Sequence, residues 1–226
     1  MIGGGSFGTV VANIIALNGH DVQFWMRSNE LVSEVNEIQE NKQYLPGYSL
    51  SKKVVATANM SDAVKKASLI FVAVPSSSFR EVVKQIVVFA PDDAMLISTT
   101  KGIEPGNFKL MSQVLHEESP NSGIGVLSGP NLAKEIASKH PTGTVIASNN
   151  EQIRETVKDV LRSDTFRVYT NDEMFGIELG GSLKNIYAIK SNNNNLDLTI
   201  SDKSQQKSNV SIVKENCDTY EVKDTQ

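Results

Sequence analysis

Apolar residues recur along the chain in short blocks whose period switches repeatedly between that of a helix and that of a strand. "FGTVVANIIALNGH" is apolar at helical spacing, and Gly19 is placed to end the helix. "DVQFW" follows as a short strand. "SNELVSEVNEIQE" opens on Ser and Asn and puts Leu31, Val35 and Ile38 on one face, which predicts a second helix. "YLPGYSL" is a turn-rich loop, "KVVAT" a strand and "MSDAVKKA" a short helix. "SLIFVAVP" is a run of apolar and β-branched residues stopped by Pro75, the pattern of a strand buried on both faces. The alternation continues through "SSFREVVKQIVVFA" (helix), "AMLISTT" (buried strand), "GNFKLMSQVLHEE" (helix) and "GIGVLSGP" (strand, then turn). "NLAKEIASKH" and "EQIRETVKDVLRS" read as helices, "TGTVIAS" and "FRVYT" as strands. "DEMFGIELGGSLKNIYAIK" closes the patterned part as a helix with an internal Gly-Gly pair. Such repeated alternation predicts an α/β fold, a doubly wound sheet with crossover helices on both faces.

The pattern stops after Lys190. Residues 191–226 combine an asparagine run with many Ser, Lys and Asp, and too few apolar side chains to bury a second core. They predict a polar tail that is largely disordered, with "NVSIV" as its one β-like piece. Composition adds exclusions. The chain has 226 residues, 39% of them hydrophobic, and a net charge of −4, which argues against a generic basic surface for nucleic acid or membrane. No apolar run approaches the roughly 20 residues of a membrane span, and no basic, apolar leader opens the sequence. The single cysteine, Cys217, forms no internal disulfide and fits a reducing, cytoplasmic setting. His20, His116 and His140 are scattered without ligand spacing, so no metal is predicted.

The candidate chemistry begins at the first residues. Gly3, Gly5 and Gly8 form a G-x-G-x-x-G that opens the first long helix and is followed by a strand, the context of a dinucleotide-binding βαβ unit. Gly3 permits a tight turn, Gly5 lets the backbone approach a pyrophosphate, and Gly8 lets the helix sit close to the sheet. The helix N-terminus then offers unpaired N–H groups and a partial positive charge to the phosphates. The doubly wound sheet is therefore expected to be Rossmann-like. The second strand runs into Met26 and Arg27 rather than into an acid suited to a ribose 2′-OH, and Glu30 already belongs to the next helix. Arg27 either faces a 2′-phosphate or is a solvated surface arginine, so the cofactor is NAD or NADP, with no strict NAD preference.

Four stretches share one order and spacing: "GGGSFGT", "NKQYLPGYSL", "STTKGIE", and "SGPNLAKEIA" with "GIELGGSLKNIYAI". Together they closely resemble the bacterial NAD(P)-dependent glycerol-3-phosphate dehydrogenases, from Ile2 to about Ile189. The resemblance implies reversible hydride transfer between NAD(P)H and dihydroxyacetone phosphate, giving sn-glycerol 3-phosphate for phospholipid backbones. It further implies that Ser6, Phe7 and Arg27 line the cofactor site, that Lys101 contacts both cofactor and substrate, and that Gly129 and Asn131 hold substrate. By the same resemblance Ala133 touches the cofactor and Lys184 is the catalytic acid/base.

The residues themselves are consistent with that chemistry. Hydride reduction of a ketone builds negative charge on the carbonyl oxygen, and a positioned cation or proton donor lowers that barrier. Lysine suits the task because desolvation and a neighbouring cation bring its pKa toward neutrality. Lys101 follows a buried strand, at the carboxyl edge where open α/β sheets bind ligands, and Lys184 lies on a helix beside Gly180 and Gly181. Taken locally, each is equally readable as a snorkelling lysine. Asn185 either orients substrate hydroxyls or is a surface amide, Glu178 is a buried or capping glutamate, and Ser76, Ser77 and Ser78 either approach the cofactor or cap a helix.

Departures from the family are equally specific. Its first strand begins several residues before Met1, so a shortened central strand with exposed neighbours is expected. Its second, helical domain, which supplies an Asp and an Arg-Asn pair at the substrate phosphate, has no counterpart after Lys190. The domain reading is thus 1–190 for a dinucleotide-binding unit and the start of the interdomain helix, and 191–226 for the tail. The helix over 172–190 is expected to expose Met174, Ile177, Leu183 and Ile186, giving marginal solubility or a homodimer. Two functions follow: an oxidoreductase impaired by the shortened length, or an inactive NAD(P)-binding remnant or interaction protein.

Overall fold

The computed structural model describes the backbone of residues 1–192, 210–212 and 222–224, with side chains up to residue 183. Two compact units result, Met1–Ile186 and Tyr187–Gln226. In the second, β8 (Val210–Ile212) and β9 (Val222–Asp224) pair antiparallel, with Val210 opposite Asp224. β8 falls within "NVSIV", while β9 is a second strand that the sequence reading did not include; the expectation for residues 193–209, 213–221 and 225–226 lies outside the described residues.

In the first unit α1 (Ser6–Leu17) leads into β1 (Val22–Trp25), α2 (Asn29–Ile38), β2 (Val54–Thr57), α3 (Met60–Val64) and β3 (Leu69–Val72). α4 (Ser76–Phe89), β4 (Met95–Ser98), α5 (Met111–Glu118) and β5 (Gly123–Ser128) follow. α6 (Ala133–Ala137), β6 (Thr142–Ala147), α7 (Glu151–Leu161) and β7 (Phe166–Asn171) come next, and α8 (Met174–Asn192) belongs to this unit up to Ile186. Local signals account for the ends. Gly19 adopts φ +99° just after α1, and the Ser28 hydroxyl caps α2 by accepting the Leu31 N–H at 3.3 Å.

β1 and β2 form one parallel pair, and β3-β4-β5-β6-β7 form a five-stranded run. Residues 1–3 join them, since Ile2 bridges in parallel both to Trp25 and to Val72. Its N–H donates to Phe71 O and its carbonyl accepts from Ala73 N–H, both at 2.8 Å, while Trp25 N–H donates to Met1 O at 2.8 Å and Gly3 N–H to Trp25 O at 3.0 Å. Residues 1–3 therefore close the centre of the sheet. Their neighbours are not exposed: Phe24, Trp25 and Phe71 are all buried. Both edges of this extended segment are bonded.

Alternation along each strand sorts the core into two layers. On β3, Phe71 joins a cluster with Val11 and Ile15 of α1, Val35 of α2 and Ile153, Val157 and Leu161 of α7. Its neighbours Ile70 and Val72 join the opposite cluster, with Val64 of α3, Phe79 and Val83 of α4 and Val114 and Leu115 of α5. Ile38, expected on the inner face of α2, is 45% exposed, because the helix ends there and Gln39 turns the chain away at φ +52°.

Two elements differ from the sequence reading. The helix expected from "GNFKLMSQVLHEE" starts only at Met111. Pro105 and Gly106 turn residues 102–110 back on themselves, Ile103 bridges Leu110 antiparallel, and Phe108 sits at φ +56°. β6 runs antiparallel to β5, with Leu127 opposite Ile146. The connection explains the reversal. α6 has five residues, and at about 1.5 Å per residue it is too short to carry the chain back along a strand. The longer α7 restores a parallel step between β6 and β7. No helix among the described residues is long and apolar enough to cross a membrane.

Candidate active site

The glycine loop sits where residues 1–3 leave the sheet and α1 begins. Gly3 has φ +113°, and a Cβ there would lie 2.3 Å from Ala73 O. A Cβ on Gly8 would lie 2.0 Å from Gly3 O. Both positions are closed by backbone, so α1 starts hard against the end of the central strand. Gly5 is different: a Cβ there would meet no heavy atom within 4 Å among the described residues. The first turn of α1 closes when Thr9 N–H donates to Gly5 O at 2.9 Å. The N–H groups that precede it have no partner within the helix, as at any helix N-terminus. A backbone cradle with an open face at Gly5 fits a dinucleotide diphosphate.

Other positions named from the sequence fall around the same carboxyl edge. Lys101, just past β4, donates from Nζ to Gly129 O at 3.0 Å, so the loops after β4 and β5 meet. Asn131 N–H bonds the same carbonyl at 2.8 Å, and its Nδ2 donates to Thr144 Oγ1 at 3.0 Å. Asn131 Oδ1 is buried without a partner among the described residues. Arg27 is exposed at the end of β1. Phe7 packs on the α1 side of the core, and the Ser6 hydroxyl is taken by Tyr44 O at 2.6 Å. Ala133 is the first residue of α6. Ser76 lies near the loop after β4, since a Cβ on Gly102 would be 3.0 Å from its Oγ. Lys184 and Asn185 belong to α8, but their side chains lie outside the described residues.

α8 is nevertheless pinned from several sides. Glu178 is buried at the N-terminus of α5, where its carboxylate accepts the Ser112 N–H at 3.1 Å and the Ser112 hydroxyl. The capping role expected from sequence thus has Ser112 as its partner. Burial pushes the Glu178 carboxyl above its ordinary range, partly offset by the Ser112 bonds. Ser182 Oγ accepts the Gly102 N–H at 3.1 Å, and a Cβ on Gly181 would stand 2.2 Å from Ser128 Oγ. The expected exposed face of this helix is revised where it is described: Met174 packs on the α4 side of the core, Ile177 and Leu183 are partly covered, and Phe175 is exposed, while the side chain of Ile186 lies outside the described residues.

Sequence reasoning also missed the support of the loop carrying Lys101. Arg80 of α4 forks onto Glu104, Nε to Oε1 at 2.6 Å and Nη2 to Oε2 at 2.9 Å, and also bonds Glu117 and Glu118 of α5. The guanidinium bonds hold Glu104 down at about 2, against an ordinary 4.5. A carboxyl depressed in the folded state contributes stability above its unfolded value and loses it as the pH falls toward its folded value. Thermal melts between pH 5 and pH 2 are therefore expected to show a fall in Tm that Glu104→Gln flattens; an unchanged slope in the variant would exclude this origin. Among the described residues no group of three or more His, Cys, Asp or Glu is placed to hold a metal ion.

Comparison with known proteins agrees with this geometry. The family model for the N-terminus of NAD-dependent glycerol-3-phosphate dehydrogenase matches residues 1–154. A glycerol-3-phosphate dehydrogenase (NAD(P)+) of Alcanivorax borkumensis is 52% identical over 191 residues, 84% of this chain and 56% of that protein. The counterpart in Teredinibacter turnerae is 48% identical over 84% of this chain and 56% of its own length. The crystal structure of glycerol-3-phosphate dehydrogenase from Coxiella burnetii superposes with a TM-score of 0.80 at 34% identity, covering 84% of this chain and 58% of that one. The chain spans about half the length of the curated relatives it matches. A glycine cradle at the centre of a doubly wound sheet, with motifs continuing in order into α8, places this chain in the NAD-dependent glycerol-3-phosphate dehydrogenase family, as its nucleotide-binding N-terminal region.

Proposed function

We propose that this chain binds NAD(P)H at the α1 N-terminus and contributes the nucleotide-binding half of an sn-glycerol-3-phosphate dehydrogenase, acting on dihydroxyacetone phosphate in the cytoplasm. One observation carries the reading: the open backbone cradle at Gly5 lies on the same sheet edge where Lys101 meets Gly129. When bound, the reduced nicotinamide supplies the hydride. The chain's own residues do the rest. N–H groups at Gly5, Ser6 and Phe7 hold the diphosphate through the dipole and free donors of the helix end. Gly3 and Gly8 keep that end against the sheet, and Arg27 suits a 2′-phosphate where NADPH is used. Lys101 steadies the substrate's negative charge, a role supported by its tether to Gly129 O. Asn131 holds the turn that carries Gly129. Lys184, assigned by family resemblance, gives the proton to the carbonyl oxygen as charge develops there.

Titrating the folded chain with NADH and NADPH, followed by cofactor fluorescence, is expected to show saturable binding of at least one of them. A folded chain that binds neither removes the proposal. Adding dihydroxyacetone phosphate then decides between the two functions: cofactor oxidation marks an enzyme, binding without oxidation a nucleotide-binding module.

A further inference from the structure

The turn-rich segment "NKQYLPGYSL" has a physical task in the structure. Residues 40–51 run along α1 as a strap. Asn13 of α1 brackets its far end, Nδ2 donating to Ser49 O at 3.3 Å and Oδ1 accepting Ser51 N–H at 2.8 Å. Tyr44 O takes the Ser6 hydroxyl, and Leu45 is buried in the α1 core layer. At the near end Asn41 is fully buried. Its Nδ2 donates both to Gly4 O at 2.9 Å and to Thr9 Oγ1 at 2.8 Å, while its Oδ1 accepts Tyr44 N–H at 3.3 Å. The orientation of the amide is fixed by these partners, since Gly4 O can only accept and Tyr44 N–H can only donate. Thr9 Oγ1 passes the chain on, donating to Gly5 O at 2.9 Å.

Peptide geometry turns these bonds into a statement about the other side of the loop. In a planar trans peptide the C=O and the following N–H point in opposite directions. Gly4 O is drawn inward by Asn41, so the Gly5 N–H is driven outward. Gly5 O is held by Thr9 through both N–H and hydroxyl, so the Ser6 N–H is driven outward as well. Both N–H groups thus point away from Asn41 and Thr9, and a Cβ on Gly5 itself would meet open space among the described residues. Without the inward anchor, a glycine-rich loop is free to turn a carbonyl toward the ligand, and a carbonyl repels an anion.

We infer that Asn41 is a positioning residue of the nucleotide site: by holding Gly4 O it presents the Gly5 N–H to a diphosphate. This rests on the cofactor reading above. The test uses the full chain labelled with 15N-glycine, with ADP and NADH as probes. In the native chain the Gly5 amide resonance is expected to shift strongly on ADP addition. Asn41→Asp keeps the shape but replaces the donor by a carboxylate facing Gly4 O. It is expected to weaken ADP and NADH binding about tenfold or more, the scale of one charge-assisted hydrogen bond, and to abolish the Gly5 shift. Variants that bind like the native chain, or that lose affinity while the Gly5 shift persists, overturn the inference. If Asn41→Asp does not fold, Asn41→Ala takes its place, and the native spectrum alone still decides: ADP binding with an unmoved Gly5 amide overturns it. A native chain that binds neither probe is a different failure, that of the cofactor reading itself.

Discussion

Gly3→Ala is expected to cost about 3 kcal/mol of folding stability and to eliminate NAD(P)H binding. Two costs combine. A side chain at φ +113° is strained by itself, and its Cβ would stand 2.3 Å from Ala73 O, a backbone atom just past the end of the neighbouring strand β3. Neither partner can move alone, because Ala73 N–H is bonded to Ile2 O at 2.8 Å and Gly3 N–H to Trp25 O at 3.0 Å. Relief therefore has to displace the central strand, and the α1 N-terminus goes with it. Gly5→Ala is the control: its Cβ enters open space, so stability is kept while binding weakens. Thermal melts and NADH titrations of both variants separate the two effects. A Gly3→Ala chain as stable as the native one would show that the strand end is softer than these distances imply.

The second large effect is expected at Glu178. Glu178→Ala leaves the Ser112 N–H and hydroxyl without their acceptor in a buried place, a loss of about 2 kcal/mol. Glu178→Gln, which keeps one acceptor oxygen, should lose less. The pH dependence has the opposite sign to that of Glu104. Because burial raises the Glu178 carboxyl, the folded chain holds this proton more tightly than the unfolded chain. The associated stability is complete below the ordinary 4.5 and is lost as the pH rises through the raised folded value. The native chain should lose Tm across that window relative to Glu178→Gln. Parallel pH profiles for the two proteins would remove ionisation of Glu178 from the account.

The elements were legible where one local signal dominates. Apolar runs such as "SLIFVAVP" fixed β3, and Ser28 and Gly19 marked the ends of α2 and α1. The late start of α5 was legible in principle from Pro105 and Gly106, but the apolar spacing of Phe108 and Leu110 outweighed it. The direction of β6 was not, because it depends on the length of α6 against the strands around it. At the site, glycines and lysines announce themselves by type and context. Asn41, Ser112 and Arg80 do not, since each acts on a partner distant in sequence: Gly4, Glu178 and Glu104. A polar residue whose role is to hold another looks, in one dimension, like any surface amide or cation.

Ile2 has its two neighbours at Trp25 and Val72, which sets an order on synthesis. A nascent chain can dock the segment around Ile2 onto β1 early, yet the other flank of that segment stays bare until β3 has left the ribosome. For that interval the future middle of the sheet is an unprotected edge with free backbone groups, the type of surface that recruits foreign strands. The position that later carries the nucleotide cradle is thus also the point where the growing polypeptide is most open to mispairing.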